Sequence, residues 1–432
     1  MKKAKGITLI ALVVTIVILL ILAGITINLL FSNGGIFKVA QDAANAWNEA
    51  IINEQESLNN LADQIENLVN GQTSGGTPEE KSTLEQLIDA GTIVGDRTEV
   101  EDKYENPIVI PKGFKVTNDG KTIPEGVVIE DANENQFVWI PVGTVHKDSN
   151  LENDITIKLG RYTFDRNTGN DVPDGTPVLQ QAAFAGDNPD NPTQTYADEV
   201  PIRGYAENDN HIELDEPRPG TPSTGRDGLN ATAKNLAEFI KSVQVNGGYY
   251  IARYEASYGS GYNSAGSTDA EKYANAKPLS KVSTANSTSS MTYDTSGQLW
   301  NFITQLNASK VSQNMYANDN SVGVESDLIN SYAWDTAIVF IQEMGNSNYA
   351  NETDGNGTLK DTGKTEDEKC NIFDMAANIR EWNTENAGDG ASPCTIMGGL
   401  YGSTYSYTAY RNYGSTIYSI NNIGFRVLLY IQ

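Results

Sequence analysis

Apolar positions change texture three times along the chain. From Ile7 to Phe31 they are nearly continuous, 25 mostly apolar positions with no charge between Lys5 and Lys38. As a helix that run would span about 37 Å, enough to cross a bilayer. Lys2, Lys3 and Lys5 precede it, which keeps the amino end cytoplasmic. After Ser32-Asn33-Gly34-Gly35 the apolar positions thin to Phe37, Ala40, Ala44, Trp47, Ile51, Leu58, Leu61, Ile65 and Leu68, with Glu54 filling one step at the same spacing of three and four. The spacing predicts an amphipathic helix with one narrow apolar stripe, suited to lying along another helix or a folded domain.

Residues 71–81, GQTSGGTPEEK, have no apolar anchor and read as a flexible linker. A short helix is expected through Leu84, Leu87 and Ile88, followed by an acidic, extended stretch over 97–105. The boundaries are thus a leader at 1–6, a transmembrane and amphipathic helix over 7–70, a linker over 71–106 and a large domain over 107–432. Within that domain, helices are predicted on the faces Leu236, Phe239, Ile240, Val243; Leu299, Phe302, Ile303, Leu306; and Trp334, Ala337, Ile338, Ile341. Strands are expected at 108–110, 126–130, 137–142, 249–254 and 425–431. Without regular βαβ alternation the fold class is α+β. An acidic, Pro-bearing stretch over 187–222 lacks a periodic apolar face and reads as a surface insertion.

Charge and composition then exclude whole classes of chemistry. With 30 basic and 56 acidic residues, a net charge of −26, the chain is no partner for nucleic acid. Its two histidines, His146 and His211, belong to no ligand-spaced cluster, which removes zinc and non-haem iron. The two cysteines, Cys370 and Cys394, are either a disulfide of an exported chain or two separate small buried residues.

The opening KGITLIALVVTIVILLILAGITI resembles the amino terminus of type IV pilins and pseudopilins. The resemblance implies prepilin-peptidase cleavage between Gly6 and Ile7, methylation of the new amino terminus, and assembly with pilus or pseudopilus subunits at the membrane or cell surface. Ala11 stands where most members carry a glutamate at the fifth mature position. That departure speaks against a shaft role and for a minor, terminal position, because an amine left unpaired in hydrocarbon is costly.

Five further blocks, FVWIPVG at 137–143, GGYYIARYEAS at 247–257, NIFDMAANIREW at 371–382, IMGG at 396–399 and NNIGFRV at 421–427, stand in the order seen in the formylglycine-generating enzyme, or sulfatase-modifying, family. The resemblance implies a variant of the C-type lectin fold. Active members carry a cysteine pair between the last two blocks; residues 400–423 here contain neither Cys nor His, so the oxidase activity does not carry over. The family also implies a calcium site, with side-chain oxygens of Asp374 and Glu381 and backbone carbonyls of Ala377 and Ile379 as ligands. The alternative is that Asp374 caps a turn and Glu381 pairs with an arginine.

Residues 400–423, LYGSTYSYTAYRNYGSTIYSINNI, have the composition of a paratope, in which Tyr supplies rigid amphipathic contact and Ser, Gly and Asn adaptable hydrogen bonds. Tyr401, Tyr405, Tyr407, Tyr410 and Tyr413 are the candidate ligand contacts, and the ligand would be a protein or a glycan. Strand spacing would alternatively turn some of them into a core. Three functions follow: a non-catalytic adhesion or receptor protein, a membrane-tethered oxidase, and a structural pseudopilin of a secretion system.

Overall fold

Tyr249 and Tyr250 are adjacent in sequence and both fully buried, which requires that their strand be covered on both faces. The computed structural model describes residues 81–164, 230–355, 357–386 and 392–432, together with the backbone of the strands Pro177–Gln180, Asp187–Asn188, Asn191–Thr195 and Ile212–Glu213. They belong to a unit running from Lys81 to Gln432, mixed in α and β structure.

A six-stranded antiparallel sheet is ordered Val324–Leu328, Val427–Ile431, Gly248–Ala252, Gln136–Pro141, Val128–Asp131 and Phe114–Val116. On one face Tyr249 meets Phe239 of the helix Leu236–Asn246, ring centroids 5.4 Å apart, and donates its hydroxyl to the Ala333 carbonyl of the helix Ser331–Glu343. On the other face Tyr250 lies tilted against Trp139, its cross-strand partner, and donates to the Val109 carbonyl. Gly248 has no side chain for want of room: a Cβ there would lie 2.4 Å from Trp139 Cζ2.

Val109 belongs to a hairpin, Thr98–Glu101 with Pro107–Ile110, that follows the capped helix Thr83–Ala90. Residues 81–106, expected as linker, are therefore part of the folded unit. Leu84 and Val100 within them are buried, as are Ile108, Val109 and Ile110 of the strand that follows, each contributing roughly 1.5–3 kcal/mol for a full-sized side chain. The acidic residues between them hid that content.

A second, five-stranded sheet is ordered Ile212–Glu213, Arg380–Asn386, Cys394–Met397 and Arg411–Gly414, with Ile423–Phe425 pairing parallel to Arg380–Asn386. The stretch 187–222, read as a plain insertion, thus supplies an edge strand and a short hairpin, Asp187–Asn188 with Asn191–Thr195. Strand Ile423–Phe425 of this sheet continues into Val427–Ile431 of the first, and Arg426 sits at the crossing. Helix Ser331–Glu343 packs against both sheets.

Two of the three predicted domain helices form as expected, Leu236–Asn246 and Ser331–Glu343. The third does not start at Leu299. Leu299 and Trp300 give their N–H groups to Thr284 and Ala256, Phe302 takes a left-handed φ of 52°, and the helix runs from Gln305 to Asn314 behind a Thr304 cap. Among the described residues no helix is long and apolar enough to cross a membrane. The apolar run 7–31, the amphipathic stripe to Leu68, Gly6, Ile7 and His211 lie outside the described residues.

Candidate functional site

Residues 371–382 form a turn that enters the central strand of the second sheet. The backbone of this turn is left-handed at Asp374 and Asn378, the residue types that tolerate it best, and Ala377 is not among the positive-φ positions. Ala in place of glycine is therefore without strain there.

Both carboxylates expected to hold calcium are already engaged by protein donors. Asp374 is fully buried, and its carboxylate accepts from the Thr362 hydroxyl at 2.5 Å, the Gly363 N–H at 2.9 Å and the Thr365 hydroxyl. Glu381 is held on both oxygens by Arg426, Nη2 to Oε1 at 2.7 Å and Nε to Oε2 at 3.1 Å. The Ile379 N–H donates to a third buried carboxyl, Glu255, which also accepts from Asn378 Nδ2. The guanidinium further donates to the carbonyls of Ala252 and Phe373, so it ties both sheets to the turn. Among the described residues no group of three acidic, His or Cys side chains is placed to hold a metal. Arg426 supplies the positive charge that a cation would have brought, and the donor set does not fit calcium. Burial, and after it the charges of Asp374 and Glu381, holds the Glu255 carboxyl well above the usual carboxylate range.

Cys370 and Cys394 carry free thiols. Cys370 lies in the turn of the small hairpin Glu368–Lys369 and Ile372–Phe373, with its carbonyl against Gly126, whereas Cys394 opens a strand opposite Gly414. Burial pushes both thiols up to about 12. Of the two alternatives for these cysteines, the structure has separate thiols.

The Tyr-rich segment 400–423 is pinned from below. Tyr401 and Gly402 give their N–H groups to Asn378 and Asp354, and Thr408 and Ala409 give theirs to Glu352 and Ala350. Arg380 reaches Ser406 Oγ at 2.6 Å, and Trp334 Nε1 donates to the Thr408 carbonyl. Arg411, buried completely, donates to Asp335 at 2.6 Å and to Glu385 at 3.3 Å, and Glu385 also meets buried Arg161 at 3.2 Å. Gly414 allows the close packing at the end of this strand, since a Cβ would meet Trp382, Ile396 and Tyr418 within 3.1 Å.

What remains exposed is an apolar strip of sequence, 405–420. Tyr405 is 78% exposed and Ile417 80%, with Tyr413, Tyr418 and Ile420 also exposed. Half of the ten exposed large apolar side chains among the described residues fall within 405–420, which sets this surface apart from the rest. Of the five candidate tyrosines, Tyr405 and Tyr413 face solvent and Tyr401 and Tyr410 are half-buried. Tyr407 is buried, its ring edge-on to Tyr410 at 6.2 Å, and is corrected to a supporting role. Tyr418 is a further exposed tyrosine of the segment, and Ile417 and Ile420 add exposed apolar area that a reading by tyrosines alone does not show.

Beside the strip lies a cavity of about 710 Å³ whose wall includes Thr416, Ile417 and Ser419. Its other side is the start of helix Gln305–Asn314 and the short helix Asp269–Tyr273. The loop and the strip are joined where the Phe302 N–H donates to the Ile420 carbonyl and Asn301 Nδ2 to the Asn421 carbonyl.

No protein-family profile matches this chain, and no curated protein matches it. Among solved structures the crystal structure of CarF is similar at 14% identity with a TM-score of 0.30, covering 43% of this chain and 87% of that one; a likeness so slight bears on neither fold nor function.

Proposed function

We propose that the chain is a non-catalytic surface protein: a pilin-like amino terminus anchors and assembles it, and a lectin-like domain presents the strip 405–420 to a ligand. The observation that carries this reading is the pairing of exposed Tyr405, Tyr413, Ile417 and Tyr418 with a fully buried ionic support at Arg411. Rigid aromatic groups lose little entropy on binding, and a support that does not move keeps that advantage. The Lys-rich leader, Gly6 and the apolar run behind it support processing and a single membrane pass, and the bulk of the domain together with Ala11 favours a minor, terminal subunit. An oxidase is disfavoured because residues 400–423 hold no Cys or His to bind copper or move protons.

The test compares attachment of cells displaying the wild-type chain with cells displaying Tyr405→Ala, Tyr413→Ala and Tyr418→Ala together, at matched surface amounts. Loss of attachment in the triple variant supports the reading, and equal attachment overturns it.

A further inference from the structure

We infer that the cavity beside the strip is a binding site for a neutral saccharide, so that the ligand of this face is a glycan. The inference rests on the proposal that 405–420 is a binding face, and it names the chemistry of what is bound. A volume of about 710 Å³ lies within the range of small-ligand sites, roughly 300–1,000 Å³. Part of the lining is apolar: Leu306 and Ile417, both exposed, and the buried Tyr273. The rim is small and polar: the hydroxyls of Thr304, Thr416 and Ser419 and one carboxylate, Asp269. Asp269 is fixed in place by Asn307, which is almost fully buried and donates to it at 2.8 Å. A sugar ring presents C–H faces to such a lining and hydroxyls, each both donor and acceptor, to such a rim.

Charge and backbone disfavour the competing ligands. A chain with a net charge of −26 repels acidic polymers, and Lys310 and Asp269 at the rim balance one another. The nearby edge strand Arg411–Gly414 offers an extended peptide one donor fewer, because the Tyr413 N–H is already taken by Asn412 Oδ1 at 2.8 Å. The Phe302 N–H, from a residue of left-handed backbone, donates to the Ile420 carbonyl and so links the segments that flank the two sides of the cavity.

The experiment is calorimetric titration of the full chain in detergent with maltotriose, cellotriose and mannotriose, with polygalacturonate and a Lys-rich peptide as charged controls. Binding of at least one neutral trisaccharide is expected, weakened tenfold or more by Ser419→Trp, which fills the cavity from an exposed position, and by Asn307→Ala. Because Asn307→Ala could disturb the helix, the Ser419→Trp result decides. Failure of all three sugars, binding of the charged controls alone, or sugar binding indifferent to Ser419→Trp overturns the inference. The Tyr variants distinguish the two readings: attachment that needs Tyr405 and Tyr413 but ignores Ser419→Trp and every sugar leaves the binding face standing and removes the glycan.

Discussion

Arg411 and Asp335 meet at 2.6 Å with neither side chain reaching solvent, and the bond joins the display strand to the helix Ser331–Glu343 beneath it. Burial raises the Asp335 carboxyl, and the charge of Arg411 opposes that rise. Breaking one partner of such a buried pair typically costs about 3–5 kcal/mol, whereas truncating an exposed side chain costs within about 0.5 kcal/mol. Asp335→Ala should therefore lower the free energy of unfolding by several kcal/mol in urea titrations, and Tyr405→Ala should leave it nearly unchanged. A small effect of Asp335→Ala would mean that the pair does not support the strip.

Arg426 in place of a metal makes a second expectation. Thermal unfolding should be the same in EDTA as in millimolar Ca²⁺, and Arg426→Met should destabilise by about 3–5 kcal/mol, since it leaves Glu381 buried without its partner. Stabilisation of the wild-type chain by Ca²⁺ would restore the calcium reading of Asp374 and Glu381.

Stability should also rise on acidification. Burial pushes Asp327 and Asp367 each up to about 7 from an ordinary 3.8. A carboxyl whose pKa is higher in the folded chain favours folding in its protonated form; that contribution is complete below about 3.8 and is lost as pH rises through about 7. The melting temperature should then fall between pH 5 and pH 8, and Asp327→Asn with Asp367→Asn should flatten the slope. A profile that rises over that interval would contradict the assignment.

Two free thiols pushed up to about 12 by burial should resist chemistry at neutral pH. Iodoacetamide is expected to leave the folded chain unmodified and to add two groups after denaturation without reductant. Failure to alkylate the denatured chain until a reductant is added would show a disulfide between Cys370 and Cys394.

The sequence told most where one side chain's environment was decided locally. Helices Leu236–Asn246 and Ser331–Glu343 were legible because their apolar positions repeat at helical spacing behind Asn caps. The helix expected at Leu299 failed because backbone bridges from Thr284 and Ala256, far away in sequence, claim that stretch. Both arms of the hairpin 98–110 were legible as extended segments, but their pairing was not, because four apolar residues among acids carry no period that says what they pack against. At the site, the tyrosines announced a face, yet which of them are exposed depends on the strand pairing of Arg411–Gly414 and on ion pairs 26 and 76 residues apart. Asp269, Asn307 and Ser419 carried no signal at all, since ordinary polar residues become a rim only when three separate segments converge.

The proposed binding role of the strip 405–420 is examined most directly by tyrosine-selective footprinting of the full chain, alone and on cells to which it attaches. Tyr405, Tyr413 and Tyr418, all exposed, should label readily in the free chain and lose most of that labelling on attachment, while buried Tyr249 and Tyr250 stay unlabelled in both states. Labelling of the three tyrosines that is equal in the free and attached states would contradict a binding role for the strip 405–420.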